Sequence, residues 1–185
     1  MEQIGLLHDG QIYDLQTAEA LNIKGDIIKA DDSKESLEIL RHSCAHMMAQ
    51  AIKELYPEAK FFVGPVVKEG FYYDFKVESK ISDEDLPAIE KKMKEIADRK
   101  LPITRHETTK EEFYEKFKND ELKQAVLKNI KDDTLTIYKQ GDFEDLCRGP
   151  HLPNTRMIRS FKLTRVAGAY LGGDEKNEMI TRIYG

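Results

Sequence analysis

The sequence predicts an α+β protein in which helices cover a largely antiparallel sheet and a small N-terminal unit contains a hairpin. Three observations support this fold class: apolar stretches with strand character are joined by short turns, amphipathic helical stretches lie between them, and strands and helices do not alternate regularly. The chain has 185 residues, of which 40% are hydrophobic. This length favours one main domain, with a small appendage at most.

The first 30 residues are predicted to form the small unit. Two short apolar segments within residues 4–15 flank Asp9-Gly10, a dipeptide typical of a hairpin turn. A short helix is expected over residues 17–21, and the polar run 30–34 is expected to link this unit to the rest. The unit is too small to bury much apolar surface alone.

A long helix with two histidines on one face follows the linker. Ser33 or Asp32 can cap it, and Pro57 ends it. His42 and His46 lie one turn apart on a face that carries few charges, so we expect both sides of the helix to be covered or one side to line a cleft. The opposite, core-facing stripe is predicted to comprise Leu37, Leu40, Cys44, Met47, Met48, Ala51 and Leu55.

The rest of the chain mixes hairpins with helices. Residues 61–67 and 71–77 are predicted to form a hairpin, and Ser82 is predicted to open a helix that buries Leu86, Ile89, Met93 and Ile96. Further helices are expected over residues 109–117 and 121–130, and further strands over 135–139, 161–170 and 179–184.

Two motifs of identical spacing could carry chemistry. His42 and His46 form H-x-x-x-H on the long helix, and Cys147 and His151 form C-x-x-x-H in a Gly-Pro turn that cannot be helical. Four such N and S donors can form a closed tetrahedral zinc site, or three of them with a water a catalytic one. Without a metal, imidazoles can equally position a water and move protons. The residues alone leave both interpretations open.

A basic segment begins at the cysteine turn. Residues 146–173 contain no acidic side chain, although the chain as a whole has a net charge of −5. That acidic balance excludes a basic coat over the entire protein but not a local one. Arginine suits phosphate contacts, so we predict that this segment binds RNA; the alternative is a segment balanced by acidic neighbours such as Asp142, Glu144 and Asp145. The predicted RNA-binding side chains are Arg148, Arg156, Arg159, Lys162 and Arg165.

Cysteine usage and targeting signals predict a cytoplasmic protein without a membrane anchor. The only two cysteines are far apart in sequence, which suits a reducing compartment. The N-terminus lacks the features of a signal peptide, and no apolar stretch approaches the ~20 residues of a membrane helix.

Six short motifs follow one another over about residues 33–185. They are Arg41-His42-Ser43-Cys44-Ala45-His46, Gly64-Pro65-Val66, Gly70-Phe71-Tyr72-Tyr73-Asp74, Asp145-Leu146-Cys147-Arg148-Gly149-Pro150-His151, Ala167-Gly168-Ala169-Tyr170 and Arg182-Ile183-Tyr184-Gly185. In these motifs and their order the sequence resembles the N-terminal part of bacterial threonyl-tRNA synthetase. A related domain occurs in alanyl-tRNA synthetases, but the Cys-Arg-Gly-Pro-His and Gly-Phe-Tyr-Tyr-Asp forms favour the threonyl branch.

The resemblance implies that residues 31–185 form an editing domain, which hydrolyses the ester of mischarged seryl-tRNA(Thr). It implies a reduced remnant of a ubiquitin-like domain over residues 1–30, and it places the class II catalytic domain outside this chain. The parent enzyme would attach threonine to tRNA(Thr), and the resemblance is compatible with its assembly as an oligomer. The implied catalytic residues are His42, Lys123, Cys147 and Asp145, and the implied substrate-binding residues are His46, His151 and Tyr73.

No cofactor follows from the resemblance, because the threonyl-type pocket is thought to work without a metal. Two alternatives stay open from the residues. One is a zinc-dependent small-molecule hydrolase or lyase that uses His42, His46, Cys147 and His151 as ligands. The other is a non-catalytic tRNA-binding module in which these side chains only stabilise the fold.

Overall fold

The computed structural model describes residues 1–185 and contains eleven strands and five α-helices. The helices are α1 Leu15–Ala20, α2 Lys34–Leu55, α3 Leu86–Asp98, α4 Lys110–Lys116 and α5 Glu121–Lys128. The strands are β1 Gln3–His8, β2 Gln11–Asp14, β3 Asp26–Lys29, β4 Lys60–Phe61, β5 Val66–Val67, β6 Gly70–Lys76, β7 Thr104–Thr109, β8 Thr134–Gln140, β9 Phe143–Leu146, β10 Arg165–Tyr170 and β11 Met179–Tyr184.

All strand pairings are antiparallel, so the predicted α+β class is confirmed, with the strands divided among three sheets. The N-terminal sheet has the order β2-β1-β3, and the third sheet has the order β7-β8-β9. The central sheet has the order β10-β11-β6-β4, and β5 also pairs with β6. None of the five helices combines the length and apolarity that a membrane-spanning helix needs.

The N-terminal hairpin forms around the predicted dipeptide. Asp9 and Gly10 have φ values of 49° and 76°, the left-handed pair that a tight two-residue hairpin turn requires. α1 begins at Leu15, two residues earlier than predicted, because the carboxylate of Asp14 accepts the backbone N–H of Thr17 and caps the helix. β3 was not predicted, since its short sequence carries charged residues at both ends.

The long helix α2 is covered on all sides over residues 43–52, as the sparsely charged histidine face predicts. Ser33 caps it by accepting the backbone N–H of Ser36, and the helix ends before Pro57. The predicted stripe is wrong at its end: Leu55 is 37% exposed. Lys53 and Glu54 are exposed as well, so the last turn of the helix projects beyond the elements that cover the rest of it.

The predicted strand over residues 61–67 is interrupted. β4 ends at Phe61 and β5 starts at Val66, since Gly64 and Pro65 cannot continue a regular strand between them. β10 likewise starts at Arg165, four residues later than predicted. The sequence analysis predicts neither β7 nor β9. The β7 sequence is polar and shows no apolar alternation.

The N-terminal sheet shares the main core with the rest of the chain. Ile4 and Ile28 from this sheet belong to the same buried cluster as Ile39 and Met47 of α2 and Phe75 of β6. The buried face of α3, formed by the predicted residues, packs against α2. The shared core fixes the N-terminal sheet next to the turn that follows β9.

Candidate functional site

The two sequence motifs meet at one point. α2 presents His42 and His46, and the turn after β9 brings Cys147 and His151 against them. The four potential ligand atoms lie within 4.8 Å of one another. The Cys147 Sγ is 3.3 Å from the Nε2 atoms of both His42 and His151. The predicted convergence of the two motifs is therefore present in the structure.

Hydrogen bonds orient the two histidines that contact Cys147. The Pro150 carbonyl, 3.1 Å from His42 Nδ1, can only accept, so Nδ1 carries the proton and the Nε2 lone pair faces the Cys147 thiol. Ser43 Oγ accepts the backbone N–H of Leu152 at 2.8 Å and can donate its own hydrogen to His151 Nδ1 at 3.0 Å. The unprotonated Nε2 of His42 therefore faces the centre of the cluster.

Burial keeps the cluster uncharged. It lowers the pKa of His42 and lowers the pKa values of His46 and His151 well below the usual value. Burial likewise raises the pKa of the Cys147 thiol. At neutral pH the site therefore offers neutral imidazoles, which can accept a proton, beside a protonated thiol.

A buried ion pair lies beside the cysteine. Lys123 and Asp145 are only 4% and 3% exposed, and the Lys123 ammonium contacts the Asp145 carboxylate. Burial lowers the pKa of Lys123 to about 8 and raises the pKa of Asp145 well above its usual value. Burial thus disfavours both charges, and the direct contact of the pair offsets that cost. The backbone N–H of Leu146 adds a further hydrogen bond to Asp145 Oδ1 at 2.8 Å.

A small pocket of about 230 Å³ opens onto these groups. Five of the seven predicted catalytic and substrate-binding residues line it: His42, His46, Tyr73, Asp145 and Cys147. Lys123 stands behind Asp145, and His151 stands behind His42 and Cys147. The other lining residues are Phe62, Val63, Gly64 and Pro65 from the segment between β4 and β5, together with Val126, Leu146, Arg148 and Gly149.

Gly64 allows this wall to approach Tyr73 closely. A Cβ atom at residue 64 would lie 2.2 Å from the Tyr73 ring, which is closer than any real contact. The Tyr73 ring is 1% exposed and stands edge-on to His46 with 6.0 Å between ring centroids. The pocket volume is below the ~300–1,000 Å³ typical of drug-sized ligands and suits a small group.

Of the five predicted RNA-binding side chains, only Arg148 lies at the pocket. The other four lie along α3 and at the start of β10. Four of the five contact acidic side chains, as the alternative interpretation expected, but not the neighbours named for it, because Asp145 pairs with Lys123 and Glu144 pairs with Lys116 and Lys139. The observed contacts are Arg148–Asp132, Arg156–Glu2, Arg159–Asp98, Lys162–Glu90 and Arg165 over the Tyr184 ring.

Sequence reasoning missed the residues that support the cluster from behind. Asp14 of the N-terminal unit accepts hydrogen bonds from the Tyr138 hydroxyl and from the backbone N–H of His151. Thr17 contacts the same hydroxyl, and Ser43 bonds His151. Ser43 stands inside the first motif and could have been considered. Asp14 lies inside the predicted hairpin segment 4–15, whose pattern carries no signal for a functional site.

The spacing of Cys147 from two imidazole nitrogens fits a zinc ion. With ligand distances of about 2.0–2.3 Å, tetrahedral zinc separates N and S ligands by about 3.5 Å, and Cys147 Sγ is 3.3 Å from the Nε2 atoms of His42 and His151. His46 could supply the fourth ligand. A zinc ion held there would act as a Lewis acid toward a bound water or carbonyl.

Comparisons with known proteins give a family match for the segment that contains part of this site and similar proteins for the whole chain. Residues 135–184, which include Cys147 and His151, match the family described as "Threonyl and Alanyl tRNA synthetase second additional domain". The threonine–tRNA ligase of Campylobacter jejuni is 65% identical over 184 residues, which is 100% of this chain and 30% of the relative. That of Helicobacter hepaticus is 64% identical over 184 residues, with the same coverage. That of Campylobacter lari is 73% identical over 155 residues, 84% of this chain and 26% of the relative.

The chain thus spans about 30% of the length of the curated relatives that it matches along all its residues. The predicted resemblance is confirmed. The matched second additional domain is associated with editing in these synthetases. Along its whole length the chain is therefore similar to the N-terminal portion of bacterial threonine–tRNA ligases, and residues 135–184 match the second additional domain of threonyl- and alanyl-tRNA synthetases.

Proposed function

We propose that this chain hydrolyses the ester bond of seryl-tRNA(Thr), as the editing part of a threonine–tRNA ligase. Serine differs from threonine by one methyl group, which is worth only about 1–3 kcal/mol in a binding pocket. A synthetase therefore needs a second site that removes serine after it has been attached. The pocket of about 230 Å³ is of a size for a small aminoacyl ester, with potential proton-transfer groups on its wall.

The observation that carries the proposal is the orientation of His42. Its Nδ1–H is held by the Pro150 carbonyl, and its Nε2 lone pair faces the cluster beside the pocket. Because burial lowers its pKa, the ring is neutral and can take a proton from an attacking water. His42 then returns this proton to the departing ribose oxygen, so that serine and the free tRNA are released. Cys147 and Asp145 line the same pocket and are proposed to position the water and to share in the proton transfer. The 2′-hydroxyl of the terminal ribose is a further group that can assist.

The other predicted residues have supporting roles in this proposal. His46 and Tyr73 shape the pocket so that serine enters and the extra methyl group of threonine is excluded, while His151 holds Cys147. Lys123 is proposed to stabilise the oxyanion and the ribose. Its ammonium contacts Asp145, so this role requires it to exchange part of that contact for the substrate.

Features of the whole enzyme stay predictions. They comprise the threonine–tRNA ligase activity of a longer parent, its oligomeric state, a cytoplasmic location, and the division into a remnant over residues 1–30 and an editing domain over 31–185. Contact with tRNA through Arg148 is proposed because this side chain is 84% exposed at the rim of the pocket. Arg156, Arg159, Lys162 and Arg165 stay predicted tRNA contacts.

The test is deacylation of seryl-tRNA(Thr) by the wild type and by His42→Ala. We expect a loss of about 10²–10⁴-fold in kcat, the usual contribution of a general base. His106→Ala is the matched control, because this histidine is exposed on β7, and it should retain wild-type rates. Threonyl-tRNA(Thr) serves as the second substrate, which the wild type should not hydrolyse. Undiminished turnover by His42→Ala would contradict the assignment.

Zinc-dependent hydrolysis is the second candidate, and the clustering of four donors within 4.8 Å favours it. Elemental analysis of the purified protein and deacylation after chelation distinguish the two candidates. One zinc per chain and activity that returns only with added zinc support the zinc enzyme. Full activity after chelation supports the metal-free mechanism.

A further inference from the structure

The N-terminal unit reaches the site through one buried carboxylate. Asp14 is 2% exposed and lies where β2 meets α1. Its Oδ1 accepts the backbone N–H of Thr17 at 2.8 Å, which caps α1. Its Oδ2 accepts the Tyr138 hydroxyl at 2.5 Å and the backbone N–H of His151 at 2.9 Å. One side chain thus joins α1, β8 and the end of the Cys147–His151 turn.

The turn is packed directly against this carboxylate. A Cβ atom at residue 149 would lie 2.7 Å from Asp14 Oδ2 and 2.6 Å from the Tyr138 hydroxyl, and Gly149 has a φ of 77°. The same glycine donates its backbone N–H to Cys147 Sγ at 3.2 Å. The Tyr138 ring also packs on the His151 ring, with 4.5 Å between centroids. Asp14 and Tyr138 therefore form the surface on which the turn rests.

Asp14 does not line the pocket of about 230 Å³. It lines a second cleft, of about 740 Å³, which shares Cys147, Arg148 and Gly149 with that pocket. The rest of the unit is attached through other contacts. Gln16 donates to the Ile103 carbonyl at 2.6 Å and accepts the backbone N–H of Arg105 at 2.7 Å. Attachment of the unit and support of the turn are thus carried by different side chains, which can be changed separately.

We propose that Asp14 is a positioning residue for ester hydrolysis: it holds the 147–151 turn so that Cys147 and His151 meet His42. The proposal rests on the proposed function. It assigns to the N-terminal unit a part in the chemistry of the site, because Asp14 accepts a hydrogen bond from His151 in the turn and another from Tyr138, on which the turn packs. A positioning role predicts a change in kcat rather than in KM, since Asp14 does not itself line the pocket proposed to hold the ester.

The primary test is Asp14→Asn in the full chain. The amide can still cap α1 through its oxygen, but its NH₂ group then faces the donor N–H of His151, so this bond is lost. We expect kcat for seryl-tRNA(Thr) to fall about 10–100-fold, the usual effect of removing a group that orients a catalytic side chain, and KM to change less than about twofold. Gln16→Ala is the control, because it weakens attachment of the unit without touching the turn.

The comparison of these variants decides the proposal. Gln16→Ala should keep kcat near wild type, even where its midpoint of thermal unfolding falls as far as that of Asp14→Asn. Tyr138→Phe removes one hydrogen bond to Asp14 and keeps the other, so its kcat should lie between the two. Equal kcat losses in Asp14→Asn and Gln16→Ala, or a rise in KM with unchanged kcat, would overturn the role of Asp14.

Nuclear magnetic resonance gives a readout that does not depend on activity. In Asp14→Asn the amide proton of His151 should shift upfield and exchange faster, and the ring signals of His42 and His151 should move. In Gln16→Ala these signals should stay in place. If the wild type fails to deacylate, the proposed function fails, while these signals still report whether Asp14 positions the turn. Unchanged signals in Asp14→Asn would refute the positioning itself.

Discussion

Helix α5 carries charges in two very different surroundings. Lys123 is 4% exposed and contacts Asp145 inside the protein beside the pocket. Two residues earlier, Glu121 lies at the surface and bridges Lys60 at 2.6 Å and Lys76 at 3.2 Å. An exposed ion pair adds about 0–1 kcal/mol, whereas a buried pair must offset a large desolvation cost and becomes costly when one partner is removed.

The same contrast separates the two predicted functional regions. The predicted catalytic and substrate-binding residues are buried or half-buried and contact one another, while the basic segment consists of exposed side chains that each contact a single partner. Removal of one charge should therefore be severe in the first region and mild in the second. A cluster of charged residues in the sequence therefore does not show which charges the stability of the fold depends on.

The largest effect is expected for Asp145→Asn, which leaves the Lys123 ammonium buried without an anion. We expect a loss of about 3–5 kcal/mol in the free energy of unfolding, measured by urea denaturation. The double variant Lys123→Met/Asp145→Leu should lose much less, because it removes both charges. A double variant as unstable as the single one would show that the charge imbalance is not the cause.

Gly64→Ala tests the shape of the pocket. The new methyl group would meet the Tyr73 ring at 2.2 Å, so we expect a loss of about 1–3 kcal/mol from overpacking and a loss of deacylation. Gly168→Ala is the matched control, because its methyl group meets only the flexible side chain of Met179. Thermal unfolding and deacylation rates check both variants, and equal behaviour of the two would contradict this role of Gly64.

The triple variant Arg156→Ala/Arg159→Ala/Arg165→Ala tests the basic segment. We expect each change to cost less than about 1 kcal/mol of stability. Binding of tRNA should weaken, and its logarithmic salt slope should fall by about one for each phosphate that the variant no longer neutralises. Filter binding at several salt concentrations measures both quantities. Unchanged binding and deacylation kinetics on full tRNA would exclude this segment as an RNA-binding surface.

The smallest effect is expected at acidic pH. Hydrogen bonding to Lys60 and to its own backbone lowers the pKa of Glu121 to about 2. A carboxylate with a depressed folded-state pKa stabilises the fold above its unfolded pKa, and this contribution is lost as the pH falls toward 2. Because Glu121 is exposed, Glu121→Gln should remove well under 1 kcal/mol of stability at pH 7 and flatten the acid dependence slightly. A steeper acid dependence in Glu121→Gln would contradict this assignment.

Local patterns determined much of the fold. The Asp9-Gly10 turn, the Ser33 cap of α2 and the apolar spacing of α3 act over a few residues, so each predicted an element that the structure contains. The two motifs also predicted the four clustered side chains, because their spacing and the uncharged histidine face are properties of the sequence. The elements that were missed, such as β7, are polar and depend on the strand beside them.

The tertiary structure alone decided what surrounds these side chains. That Lys123 contacts Asp145, and that Asp14 holds a turn more than 130 residues away, depends on the antiparallel pairing of β8 with β9 and on the shared core. A sequence pattern reports neighbours along a helix or strand. It carries no information about which buried charge will face another once distant segments have packed together. The sequence by itself therefore determined the family resemblance, most of the helices and the cluster of four side chains, while packing decided the partners of that cluster.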